Sequence, residues 1–101
     1  MSYEDYDDKR TEDARLVILK ELAAQVDGRL NEVTLQRVLD TFALRRSREW
    51  VRTQLRKLAE LEAVRISEAG TVMIAQLRTL GRNHVERREV IEGVTRPSDD
   101  N

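Results

Sequence analysis

Cysteine is absent from the 101 residues, and the chain has one proline, four glycines and four aromatic residues. Without cysteine there is no disulfide framework, thiol nucleophile or thiolate-bound zinc. Four scattered glycines make no phosphate-cradling loop. So few aromatics exclude a base-stacking platform and a large aromatic core. No hydrophobic run nears the roughly 18 residues that span a membrane. The N-terminus, MSYEDYDDKRTEDAR, is acidic and lacks the apolar core of a signal peptide. The expected location is therefore the cytoplasm, with no membrane partner. His84 is the only histidine, which reads as a surface or capping residue rather than a ligand or catalyst. The acids Asp5, Asp7, Asp8 and Asp13 lack the spacing of a calcium loop. No catalytic residue, metal or cofactor is expected, and the chain does not read as an enzyme.

What is present is charge, unevenly placed. Charged residues make up 37% of the chain, yet its net charge is −1. Residues 1–13 carry six acids and two bases, whereas residues 45–57 carry six bases and one acid. A nearly neutral chain with one dense basic segment suggests a local anionic partner. The length allows one domain with a modest core.

The patterning predicts a flexible acidic segment over 1–10, a folded domain over 11–88 and an extended or disordered tail over 89–101. Thr11 is expected to cap a first helix whose apolar face is Leu16, Leu19, Leu22, Ala23 and Val26, ended by Asp27-Gly28. Leu30 suits a one- or two-residue strand. Asn31 caps a second helix to about Ala43, with Leu35, Val38, Leu39 and Phe42 at helical spacing. Ser47 caps a third, Arg48 to about Glu62, with the stripe Val51, Leu55, Leu58 and Leu61. The period then changes to two. Residues 64–67 and 71–77 read as a β-hairpin with Val72 and Ile74 on one face and Met73, Ala75 and Leu77 on the other. A short helix from Thr79 to about Arg88 follows. Three helices and a hairpin, mainly α with a small β element, make the expected fold a winged helix-turn-helix.

In such a fold the third helix enters the major groove of double-stranded DNA. Arg48, Arg52 and Arg56 recur every four residues and are expected to form one surface row, opposite the Val51, Leu55 and Leu58 stripe. Arg45 and Arg46 add charge in the preceding turn, and Ser47 opens a helix N-terminus that favours phosphate. Arginine can grip guanine or clamp a phosphate. Thr53 and Glu49 are on the exposed side, where Glu49 can accept from cytosine or pair with a neighbouring arginine. Trp50 is expected to cover the core. Arg65 on the hairpin is at best a weak DNA contact. The alternative for the whole row is a solvated or protein-binding helix face. Val17, Ile18 and Leu19, with Leu80, Val85, Val90 and Ile91, form either a homodimer surface through the first and last helices or the completion of a monomeric core.

The segment SREWVRTQLRKLAELEAVRISEAGTVMIAQLRTLGRNHV, the helix ARLVILKELA and the ending GVTRP resemble a family of small winged-helix, ArsR-like proteins of Mu-like phages and prophages. The resemblance covers residues 14–97. It implies a winged-helix fold and a phage origin, in the cytoplasm or nucleoid of a bacterial host. It does not carry metal sensing, which needs cysteine or histidine ligands. The expected function is a phage-encoded DNA-binding transcriptional regulator. The alternative is a non-enzymatic protein-interaction module serving phage or host assemblies.

Overall fold

The structure, a computed structural model, describes residues 3–98, with side chains from residue 7 onward. Residues 1, 2 and 99–101, and the side chains of Tyr3 and Tyr6, lie outside the described part. Among the described residues, four helices and a three-stranded antiparallel sheet make a small α+β domain. The elements are α1 (Tyr3–Ala23), β1 (Arg29–Asn31), α2 (Glu32–Thr41), α3 (Arg48–Glu60), β2 (Val64–Ala69), β3 (Val72–Leu77) and α4 (Thr79–Val85). β3 lies centrally, between β1 and β2.

Local chemistry accounts for the element starts. Asn31 caps α2 by accepting from the Thr34 N–H at 2.9 Å. Ser47 caps α3 in the same way from the Trp50 N–H at 3.0 Å. Each side chain satisfies one of the backbone donors that a helix start leaves open. The helix ends are less ordinary. Ala43, Glu62 and Arg87 follow α2, α3 and α4 with φ near +60°. After α2, the Leu44 N–H reaches the Leu39 carbonyl and the Ala43 N–H that of Asp40. Ala63 to Leu58 with Glu62 to Ala59, and Arg88 to Asn83 with Arg87 to His84, repeat the pattern. These are Schellman caps built without glycine. They stop α2, α3 and α4 before the expected ends at Ala43, Glu62 and Arg88.

The core forms where the helices meet one face of the sheet. Ile18, Leu19, Leu22, Leu35, Leu39, Val51, Leu55, Leu58 and Ala75 are fully buried, and Val64 and Met73 nearly so. Strand alternation, with Met73 and Ala75 inward, leaves Val72, Ile74 and Gln76 on the outer face.

Two expectations about the chain ends are corrected. The first helix begins at Tyr3, not Thr11. Thr11 is not a cap; its hydroxyl donates to the Asp7 carbonyl one turn back, at 3.1 Å. Arg10 donates to the Ala43 carbonyl at 2.9 Å, tying the acidic first turns to the α2–α3 turn. The tail is not loose over residues 89–98. Ile91 and Val94 are buried, and the Thr95 N–H donates to the Glu12 carbonyl. Arg15 donates to the Gly93 carbonyl at 2.8 Å. His84, read as a surface or capping residue, is fully buried. Its Nδ1 accepts from the Ile91 N–H at 3.0 Å, so Nε2 holds the proton and donates to the Thr95 carbonyl at 2.9 Å. Ile18, Leu19 and Ile91 are thereby used in the chain's own core, as in the monomeric reading, while Val90 stays exposed.

Candidate nucleic-acid interface

The turn between α2 and α3 is held in shape from three sides. Arg10 grips the Ala43 carbonyl, Gln36 of α2 donates to the Arg46 carbonyl at 3.0 Å, and Leu44 plugs into the core. Arg45 is left exposed and has no side-chain partner among the described residues. The Arg46 guanidinium donates to the Arg45 carbonyl and lies 5.2 Å from the centre of the Trp50 ring, a distance at which the ring face attracts a cation. Trp50 is half-buried against the core, as its spacing suggested.

The arginine row of α3 is not a uniform surface. Glu32, the first residue of α2, is fully buried. Its Oε1 accepts from Arg48 Nε at 2.8 Å, and its Oε2 accepts from the Met73 backbone N–H of β3. Arg52 Nε lies 3.5 Å from Oε1. It is too poorly aimed to hydrogen-bond and has no other acceptor among the described residues, so that contact is Coulombic. One carboxylate therefore joins α2, α3 and β3. Burial pushes its pKa up. The hydrogen bonds from Arg48 and Met73 and the charges of Arg48 and Arg52 outweigh that, holding it below the ordinary value. Its place in the first turn of α2, at the positive end of the helix dipole, acts the same way. Arg48 in turn is held above its ordinary value by the Glu32 hydrogen bond and charge.

In the expected row opposite the apolar stripe, Arg48 and Arg56 are exposed, and Arg52 is the member drawn down from the surface. Arg48 and Arg52 lean towards Glu32, and only about a quarter of the Arg52 side chain is exposed. Arg56 is half-exposed and 3.7 Å from Glu49, which is itself open to solvent. Thr53 is exposed, and its hydroxyl donates to the Glu49 carbonyl one turn back, at 3.1 Å. The α3 surface and the turn before it bring together Arg45, Arg46, Ser47, Arg48, Glu49, Arg52, Thr53 and Arg56. Arg65 is not brought to them. It sits near the start of β2, opposite Gln76, on the sheet face turned away from the helices.

Glu32 and Gln36 were not singled out from the sequence. An acid just after a helix cap reads as a partner for the helix dipole, and nothing local marks it as buried. Among the described residues no three histidine, aspartate or glutamate side chains are grouped to hold a metal ion. No described helix is long and apolar enough to cross a membrane.

No protein-family model matches the chain, and no solved structure matches it. The chain is similar to a protein of Escherichia phage Mu, the uncharacterized protein gp26. The two are 37% identical over 87 residues, which covers 86% of this chain and 90% of gp26. An identity of that size over nearly the whole of both chains places this chain in the same Mu-like phage protein family as gp26.

Proposed function

We propose that the chain is a winged-helix DNA-binding protein, a transcriptional regulator acting in the host cytoplasm, whose α3 and preceding turn lie against duplex DNA. The observation that carries this reading is the cation set at the α3 N-terminus. Arg45 is unpaired among the described residues, Arg46 is poised over Trp50, and Arg48 and Arg52 are fixed in direction by one buried carboxylate. Guanidiniums held in place lose less freedom on binding than free ones. The element order supports the winged-helix assignment, with α2 and α3 as the helix-turn-helix and β2–β3 as the wing. Membership of a phage family agrees with a regulatory protein that occludes a promoter. In this reading Arg45, Arg46 and Arg56 meet phosphates or base edges directly. Arg48 and Arg52 present their outer nitrogens while Glu32 holds their inner ones.

Duplex binding measured against salt tests the reading. Affinity is expected to fall steeply with salt, with a slope of about 0.9 per phosphate contact. Arg45→Ala with Arg56→Ala should weaken binding and flatten the slope without unfolding the protein. A folded protein with no affinity for any duplex at low salt would overturn the reading. It would favour the second one, a protein-interaction module, which Phe42 supports by standing 57% exposed at the end of α2, next to the basic turn.

A further inference from the structure

A second group of arginines gathers on the sheet, away from α3. Arg29, Gln76 and Arg65 share one register line across β1, β3 and β2. The neighbouring line contains the buried Ala75, so alternation turns the arginine line outward. Arg65 donates to Gln76 Oε1 at 3.1 Å, which occupies the amide oxygen and leaves the amide N–H groups to donate. Arg65, Gln76, Leu77, Arg78 and Thr79 line a depression of about 400 Å³. Arg82, of α4, lies beside the β1 end of the sheet, its Nη2 4.0 Å from where a Cβ on Gly28 would stand.

The chemistry of this face is one-sided. Two guanidiniums, an amide and a hydroxyl line the depression beside Leu77, Arg29 extends the cationic line across the sheet, and none of the lining side chains is acidic. Asp27, adjacent in sequence, accepts from the Arg29 backbone N–H at 3.1 Å. Arg29, Arg78 and Arg82 have no ion pair among the described residues. On a chain of net charge −1, clustering cations without acids costs self-repulsion that a merely soluble surface avoids by mixing signs. The face is also open. It has no enclosing apolar walls of the kind that bury a small ligand, so an extended polyanion fits it better. α3 packs on the other side of the sheet, and its N-terminal arginines point to Glu32 near Met73.

We propose that this outer sheet face binds the sugar-phosphate backbone of a nucleic acid at a site separate from α3, so that one molecule can hold two duplex segments. The bridging rests on the α3 reading; the backbone site does not. The test loads wild-type protein onto an immobilised duplex at low salt and offers a free labelled duplex of unrelated sequence. Capture of the second duplex is expected. Arg65→Gln with Arg78→Gln should reduce capture about tenfold, as two charge-assisted contacts are lost, while Arg65→Lys with Arg78→Lys should retain it. Equal capture by the glutamine variant, or an equal loss in the lysine variant, would overturn the site. A wild-type protein that binds one duplex and captures no second would overturn the bridging, whichever of the two sites the variants show to hold that duplex. Preferential capture of polyglutamate would assign the face to an acidic protein and overturn it too. The Arg45→Ala, Arg56→Ala variant reads the α3 proposal separately. If it binds as wild type while the glutamine variant binds nothing, the α3 reading fails and the sheet site stands.

Discussion

Glu32 and Arg48 are sixteen residues apart in the chain, and their side chains meet at 2.8 Å, with the carboxylate fully buried. Because the other carboxylate oxygen takes the Met73 N–H, this one side chain fixes how α2, α3 and the hairpin sit together. Glu32→Leu removes the acceptor of a buried backbone N–H, a loss of about 1–3 kcal/mol. Glu32→Gln keeps an acceptor for Met73 but loses the charge that holds Arg48 and Arg52. The expected order of thermal midpoints is wild type, then glutamine, then leucine. Leucine matching wild type would show that the carboxylate holds nothing together.

The same residue sets an acid limb in the stability profile. The Glu32 pKa is lowered from its ordinary value of 4.5 in the folded protein. Between the folded and unfolded values the unfolded chain binds more protons, so stability rises with pH there. The contribution of Glu32 is complete above about pH 4.5 and is lost as pH falls through the lower folded value. Denaturant midpoints measured from neutral pH into acid should fall more steeply for wild type than for Glu32→Gln. Parallel curves would remove Glu32 from the acid response.

The three glycine-free helix ends predict a gain rather than a loss. A residue with a Cβ at φ near +60° costs roughly 1–2 kcal/mol against the right-handed region, and Ala43 sits at +59°. Glycine gives back part of that benefit through its greater unfolded-state freedom. Ala43→Gly is therefore expected to stabilise the protein by about 1 kcal/mol, with Glu62→Gly similar at +63°. Chemical denaturation reads this directly; a drop in stability would mean that the Cβ packs usefully where it stands.

How far the fold was legible depended on whether its determinants were local. The caps Asn31 and Ser47, the stripe Val51, Leu55 and Leu58, and the inward face Met73 and Ala75 act within a turn or a strand, and each is in place. The early start of α1 was hidden because its first turns are acidic and without period. They are tied down by Arg10 reaching Ala43, thirty-three residues away. The helix ends were overestimated because their αL positions hold alanine, glutamate and arginine where glycine would have marked a stop. Composition drew attention to the arginines of α3. The residue that organises two of them, Glu32, comes from a different helix. Arg29 and Arg65 come from separate strands and share a line only through their common register partner, Gln76.

The C-terminal segment provides the last prediction. Its sequence, with Gly93 and Pro97, suggested loose chain, yet Ile91 and Val94 are buried, with His84 fixed between two backbone groups of the segment. Histidine suits the position because one ring presents an acceptor and a donor on opposite sides. Alanine can present neither. His84→Ala leaves the buried Ile91 N–H without a partner and opens a cavity under the segment, a loss of about 2–4 kcal/mol. The damage should be local first. Residues 91–95 are held to α1 by Arg15, Asp13 and the Glu12 carbonyl as well, but those contacts are partly exposed and open more readily than a core strand. Amide hydrogen exchange in His84→Ala should therefore lose protection at Ile91 and Thr95 while Met73 and Ala75 in β3 keep theirs. Wild-type protection at Ile91 would mean that Arg15 and Asp13 hold the segment without the histidine. Uniform loss across β3 would mean instead that the tail is part of the cooperative core of the domain.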